Sequence, residues 1–240
     1  MQNDTLTAKR FEELSERAAV RHTTEYTDFL NLDEISTLKS SGLDFALFGG
    51  YDGAERCIAA FGERPAFPIA CVKLEAKSKR FAEKLTHRDY LGTILGTGIE
   101  RSLTGDIIIN GTDAYVFCSE KIADYIIQSV DRVRHTAVVC SIEKELPEFI
   151  NEKPDITVIN ISSLRLDALI AAVYKLSRNE TAKLIRAEKV FINARLETKE
   201  SKPLNEGDVI SVRGKGKFIF EGIERKTKKD RLVAAVRIYK

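Results

Sequence analysis

Between Leu164 and Asn193 the chain carries a pattern that few folds can accommodate: two short helices meeting at one capped break and running straight into a strand. Leu166, Leu169, Ile170, Val173 and Leu176 recur at helical spacing, so a first helix over about Leu164 to Leu176 has to bury one stripe. Ser177 interrupts the run, and Glu180 three residues later completes a capping box that starts a second helix at Arg178. "KVFIN" at 189 to 193 then reads as a strand, and "DVISVRGKGK" at 208 to 217 supplies its hairpin partner. Two packed helices and a small hairpin sheet are the expected unit.

The second helix raises a question that its apolar side does not answer. Lys183 and Arg186 project together from its flank, Arg178 stands at its start, and Lys189 follows in the strand. The hairpin adds Arg213, Lys215 and Lys217, with Gly214 and Gly216 permitting close backbone approach to a ligand. Arg165 and Arg195 complete the basic set. Residues 161–240 hold 19 Lys and Arg against 10 Asp and Glu, whereas residues 1–160 hold 19 against 26. A field concentrated at one end attracts polyanions, either nucleic acid or an anionic membrane surface. Lys and Arg on a helix are ordinarily a solvated face, but few acids interrupt these segments, so the field adds up. A phosphate backbone fits such a surface, with shape rather than base edges setting the preference and with affinity falling steeply in salt.

A chain of 240 residues has room for two or three small modules. The expected class is α+β, divided into an N-terminal α+β domain over 1–78, a central ferredoxin-like, RNA-recognition-motif-like domain over 79–155, and the basic unit over 160–240 with a C-terminal β extension. Residues 5 to 40 read as helical and charged. "LDFALFGG" is a strand, and Asp52 with Glu55 forms a capping box for a helix through Phe61. Pro65 and Pro68 punctuate before a strand at Ile69 to Leu74, which either completes the central domain or belongs to the first. Next come a helix over 79–96, a strand from Asp106 to Ile109, a hairpin at Asn110-Gly111, a strand from Ala114 to Cys118, a helix from Glu120 to Val130 and a strand from Thr136 to Ser141. Tyr115 and Phe117 share one strand face, where base stacking and core packing are both open readings. The segment around Pro147 and Pro154 reads as a polar linker, and in the tail "KTKKDRLVAAVRIYK" Lys226, Lys228 and Lys229 are expected to be exposed before a final strand.

Other chemistries find little support. Cys57, Cys71, Cys118 and Cys140 form no C-x-x-C pair and His22, His87 and His135 are scattered, so no sequence-local metal site is expected and the thiols read as reduced and buried. "GGYDGAER" lacks the ending of a P-loop and the spacing of a dinucleotide fingerprint, so a tight turn explains it and no cofactor is implied. Glu55 and Arg56 in it are either a structural pair or an RNA contact. No apolar run approaches the roughly 18 residues of a membrane span, and the N-terminus has no secretory core, which leaves the cytoplasm as the expected place. No nucleophile or acid–base constellation is visible, so an enzyme is not expected.

The stretch "SLRLDALIAAVYKLSRNETAKLIRAEKVFIN...KPLNEGDVISVRGKGKF" resembles the S4 RNA-binding domain, with Arg165-Leu166-Asp167, Ser177-Arg178, Ala182, Ile185, Val190, Asn193 and Gly207-Asp208 at its signature positions. It departs from that pattern where Glu188 and Ala194 stand in place of usual glycines. With "FGGYDGAER" at 48 to 56 and "LGTILGTGIERSLTGDIIIN" at 91 to 110, the whole resembles the YlmH family of bacterial proteins, although "ERSLT" is less basic than that family's phrase. The resemblance implies an RNA-binding protein of the large ribosomal subunit, acting in quality control of stalled peptidyl-tRNA complexes and encoded near cell-division genes; rRNA and tRNA are the expected partners of a monomeric, non-catalytic chain. Two rivals remain: a pseudouridine synthase using the Asp167 of "RLD", and a cell-division scaffold docking through the acidic part. Asp167 at a helix start reads as a dipole-favoured charge or an arginine's partner, and no separate catalytic domain of the usual length accompanies it.

Overall fold

A computed structural model of the chain describes residues 2–63, 66–227 and 231–239. Pro65, Lys228 and Lys229 lie outside the described residues. The chain divides into two units, Met1–Glu152 and Lys153–Lys240.

The first unit begins with α1 (Gln2–Arg21), β1 (Glu25–Tyr26), α2 (Leu32–Lys39), β2 (Ala46–Phe48) and β3 (Ile58–Phe61). Phe11, Leu14 and Ala18 form the buried stripe of α1. Asn31 caps α2, its side chain accepting from the N–H groups of Asp33 and Glu34 while Glu34 accepts from the N–H of Asn31. The helical reading of residues 5 to 40 thus resolves into two helices with a strand between them. β3 lies between β1 and β2 in an antiparallel sheet. The helix expected to run through Phe61 is therefore wrong at its end: "IAAF" is a strand. All four of its residues are buried, so the run has no polar face for a surface helix to present, and two partner strands satisfy its backbone instead.

β4 (Ile69–Ala76), α3 (His87–Gly96), β5 (Thr104–Asn110), β6 (Asp113–Ser119), α4 (Glu120–Ser129), β7 (Arg132–Val133) and β8 (Thr136–Ile142) follow. Their sheet has the order β5-β6-β4-β8-β7 with every pairing antiparallel, and Tyr90, Ile94, Ala123 and Ile126 of the two helices pack on Val72, Leu74 and Val116 of one face. This is the ferredoxin-like arrangement with β7 added at an edge. β4 is its central strand, so the boundary expected at residue 78 cuts through the sheet. The helix expected over 79–96 begins only at His87, where Asp89 accepts from the N–H and hydroxyl of Thr86 at 2.8 and 2.7 Å; upstream, the N–H of Glu83 is taken by Thr136 Oγ1. Asn110 pairs with Asp113, which makes Gly111-Thr112 the hairpin loop, one residue beyond the expected Asn-Gly, with Gly111 at φ +62°.

The opposite face of this sheet settles the question of its aromatics. Tyr115 and Phe117 are only 6% and 1% exposed. The Tyr51 ring lies 4.9 Å from Phe117, and Phe149 lies 5.3 Å from Tyr115 in an edge contact. Phe149 comes from a 3-10 turn, Glu148–Asn151, whose Ile150 is buried in the same cluster. Core packing is the correct reading, and what was expected to be a free polar linker around Pro147 is a strap across the sheet. "GGYDGAER" works from the other side: the Tyr51 hydroxyl and the Glu55 N–H donate to Asp106 at 2.9 and 2.7 Å, and Arg56 donates to the carbonyls of Thr104 and Phe29 at 2.9 and 2.8 Å. A Cβ on Gly50, at φ +99°, would come within 2.3 Å of the Phe117 ring, so glycine is needed for the loop to pass there.

The second unit comprises β9 (Ile156–Ile161), α5 (Leu166–Tyr174), α6 (Arg178–Arg186), β10 (Val190–Ile192), β11 (Arg195–Leu196), β12 (Val209–Val212), β13 (Gly216–Lys226) and β14 (Leu232–Tyr239). Leu166, Leu169 and Ile170 of α5 close with Ile185 of α6 on Val190, Ile210, Val212, Phe218 and Phe220. The sheet, ordered β11-β10-β12-β13-β14-β9, is larger than the hairpin expected. Its far edge, β9, begins before residue 160, and Leu232 through Arg237 of β14 pair with it residue by residue.

Candidate nucleic-acid interface

The capping box at Ser177 builds the first part of the basic surface. Ser177 Oγ accepts from the N–H of Glu180 at 3.2 Å, and the Glu180 carboxylate accepts from the N–H of Ser177 at 2.8 Å. These hydrogen bonds first, and then the fields of Lys215 and Lys183, hold the Glu180 carboxyl below the usual carboxylate range. Lys215, in the β12–β13 turn, is thus near enough to the first turn of α6 for its field to reach Glu180. On the neighbouring strand, the N–H of Arg213 donates to the carbonyl of Lys189 at 2.8 Å, continuing the β10–β12 register beyond Val190 and Val212. The Arg213 guanidinium lies over the Phe191 ring, 4.7 Å from its centroid. Lys183 on α6, Lys189 just before β10, and Arg213 and Lys215 after β12 are all exposed, and Arg178 is exposed at the first position of α6.

The remaining cations are placed differently. Arg165 forms a fork with Asp167, both bonds 3.0 Å, and Asp167 also accepts from the N–H of Ala168 in the first turn of α5. Asp167 thus does what its position suggests, facing a helix start and an arginine. Arg186 pairs with Glu200 at 3.2 Å. Arg195 lies opposite Ile192, at the turn end of β10 and away from Lys189. Lys217 is half-buried with its Nζ 4.9 Å from the centre of the Tyr239 ring. Gly216, expected to allow a ligand close, serves the chain's own packing: at φ +111° its Cβ would stand 3.0 Å from the Tyr239 carbonyl oxygen.

The two positions that depart from the S4 pattern both have left-handed backbone. Glu188, where the chain leaves α6 for β10, has φ +55°; Asn193 and Ala194, the two-residue turn into β11, have φ +50° and +66°, positive at both centres as a type I′ turn requires. Asn193 is held by Nδ2 donating to Asp208 at 2.8 Å and by Oδ1 accepting from the N–H of Val209 at 2.9 Å. The hairpin keeps its geometry without the usual glycines. One feature has no sequence signal at all: the Tyr174 hydroxyl, buried without a hydrogen-bond partner beside Phe218, its pKa pushed up to about 12 by burial.

A capped helix pair over a sheet, with exposed cations gathered where helix flank and hairpin meet, is the build of an S4-type RNA-binding unit, here in one chain with a ferredoxin-like domain. Residues 164–210 match the S4 domain model, and residues 63–147 match the family described as "Putative RNA-binding domain in YlmH", a match that begins ahead of β4. Over 216 residues the chain is 33% identical to "Ribosome-associated protein quality control protein P2" of Bacillus subtilis (strain 168), covering 85% of this chain and 83% of that relative. The chain belongs to the YlmH family. A solved structure, "Cell division protein ylmH from Streptococcus pneumoniae", matches at 22% identity with a TM-score of 0.48, over 59% of this chain and 91% of that one. Among the described residues no helix is long and apolar enough to cross a membrane.

Proposed function

We propose that this protein is a non-catalytic, monomeric, cytoplasmic RNA-binding factor that associates with the large ribosomal subunit and acts in quality control of stalled peptidyl-tRNA complexes. The observation that carries the reading is the set of exposed cations Lys183, Lys189, Arg213 and Lys215 on α6 and the neighbouring ends of β10 and β12, which, among the described residues, no carboxylate pairs in the way Asp167 and Glu200 pair Arg165 and Arg186. Ammonium and guanidinium groups so arranged neutralise phosphates of folded RNA, rRNA first and tRNA beside it, without reading base edges. The name of the Bacillus subtilis relative supports the ribosomal setting. Asp167 is committed to Arg165 and to the helix start, which favours RNA binding over base modification.

Sedimentation with purified large subunits, vacant or carrying peptidyl-tRNA, tests this. Association with large subunits, strongest with the peptidyl-tRNA complex and weakened in Lys189→Ala/Arg213→Ala/Lys215→Ala, is expected. Equal sedimentation of wild type and triple variant, or pseudouridine formation in rRNA that Asp167→Asn abolishes, overturns it.

A further inference from the structure

A second basic surface lies in the first unit, at the end of the five-stranded sheet where β4 stops and β8 starts. Residues 77–88 hold Lys77, Lys79, Arg80, Lys84 and Arg88 against a single carboxylate, Glu83, inside a part of the chain that is acidic overall. The N–H of Lys77 donates to the Ala137 carbonyl at 2.9 Å and that of Glu83 to Thr136 Oγ1 at 3.1 Å, which fastens the segment to the β7–β8 hairpin bearing Arg132 and Arg134. Acids offset part of the charge: Lys79 pairs with Asp113 at 3.5 Å, and Arg134 with Asp89 at 3.4 Å and Glu83 at 3.9 Å. Among the described residues, Lys77, Arg80, Lys84, Arg88 and Arg132 form no ion pair, and all five are exposed.

Phe81 stands among them, 79% exposed, in a turn where its N–H donates to the Ser78 carbonyl at 3.3 Å. The Arg80 guanidinium is 5.6 Å from its ring centroid. A lone exposed phenylalanine needs no explanation, but one set in unpaired cations combines the two parts of a single-strand platform, a ring for a base and charges for the flanking phosphates. The sheet face on which RNA-recognition motifs stack bases is closed here by Tyr51 and Phe149. RNA contact by this domain has to use another surface.

We propose that Phe81, with Lys77, Arg80 and Lys84, binds single-stranded RNA, an unpaired base stacking on the ring while the cations take adjoining phosphates with little regard to sequence. The proposal rests on the RNA-binding reading above but uses the other unit. It is tested on the full chain with Lys189, Arg213 and Lys215 changed to Ala, titrated into a labelled uridine 12-mer and read by anisotropy. Phe81→Ala in that background should weaken binding about tenfold, Phe81→Tyr should retain it, and Lys77→Ala/Arg80→Ala/Lys84→Ala should lower the log–log salt slope by about 2. An oligomer bound equally with and without Phe81, or not bound by the parent at all, overturns the proposal. Loss on Phe81→Ala of binding to phosphatidylglycerol vesicles, with RNA binding unchanged, makes the surface a membrane contact and overturns it too. Large-subunit association of the otherwise wild-type chain, measured in parallel, shows whether a negative result concerns this surface alone or the RNA-binding reading itself.

Discussion

The S4 flank makes a quantitative prediction because its cations fall into paired and unpaired sets. Each phosphate contact adds about 0.7 to 0.9 to the slope of log affinity against log salt, so removing Lys189, Arg213 and Lys215 together should lower the slope by about 2.1 to 2.7. Between about 50 and 200 mM salt, wild type should then lose roughly 20- to 40-fold more affinity for large subunits than the triple variant does. Lys183→Ala/Arg186→Ala should lower the slope by only about one contact's worth, since Glu200 already neutralises Arg186. Arg165→Ala, whose guanidinium is forked to Asp167, should leave it unchanged. Filter binding or sedimentation across a salt series measures all four lines. Exposed positions move stability by about 0.5 kcal/mol or less, with Arg213 up to about 1 kcal/mol for its contact with Phe191, so thermal unfolding should barely register the substitutions. Parallel lines for wild type and triple variant would refute the reasoning. So would an Arg165/Arg186 pair that flattens the line as much as the triple does.

Four further outcomes follow from particular contacts. Ala194→Gly and Glu188→Gly should each stabilise the second unit by about 0.5–1 kcal/mol in urea unfolding, since both residues sit at positive φ; destabilisation by either would mean that the side chain contributes more than the strain costs. Tyr174→Phe should be neutral or slightly stabilising, because it removes a buried hydroxyl that has no partner, and a loss above about 1 kcal/mol would point to a bond formed in solution. Asp106→Ala should cost about 3 kcal/mol by stranding the Tyr51 hydroxyl and the Glu55 N–H; the double variant with Tyr51→Phe should be less than additive, and strict additivity would deny the shared bond. Glu180 has a depressed folded pKa, so its capping contribution is complete above pH 4.5 and lost as pH falls through the lower folded value; an acid unfolding curve that Glu180→Gln leaves unaltered would count against it.

What could be read from the sequence was what depends on near neighbours. The helix pair was legible because Ser177 and Glu180 cap locally and the stripe from Leu166 to Ile170 repeats at helical spacing. The ferredoxin-like order was legible because each strand is bounded by its own turn. Misreadings arose where a distant partner decides the outcome. Ile58 to Phe61 became a strand because β1 and β2 flank it, and the Tyr51 hydroxyl and Glu55 N–H of the "GGYDGAER" loop donate to Asp106, some fifty residues on, not to a helix cap. The strap at Phe149 and Ile150 reads as linker until the sheet face beneath it is known. The cations show the same limit more sharply. In one dimension Lys183 and Arg186 are equivalent neighbours on a helix flank, yet Glu200, which pairs with Arg186, is 14 residues beyond it. Charge composition therefore located the basic unit correctly, but only the fold distinguishes a cation available to a phosphate from one already neutralised by its own chain. Phe81 is the reverse case: in sequence it is one more apolar residue before a helix, and its exposure among unpaired cations exists only once Thr86 and Asp89 have started that helix downstream of it.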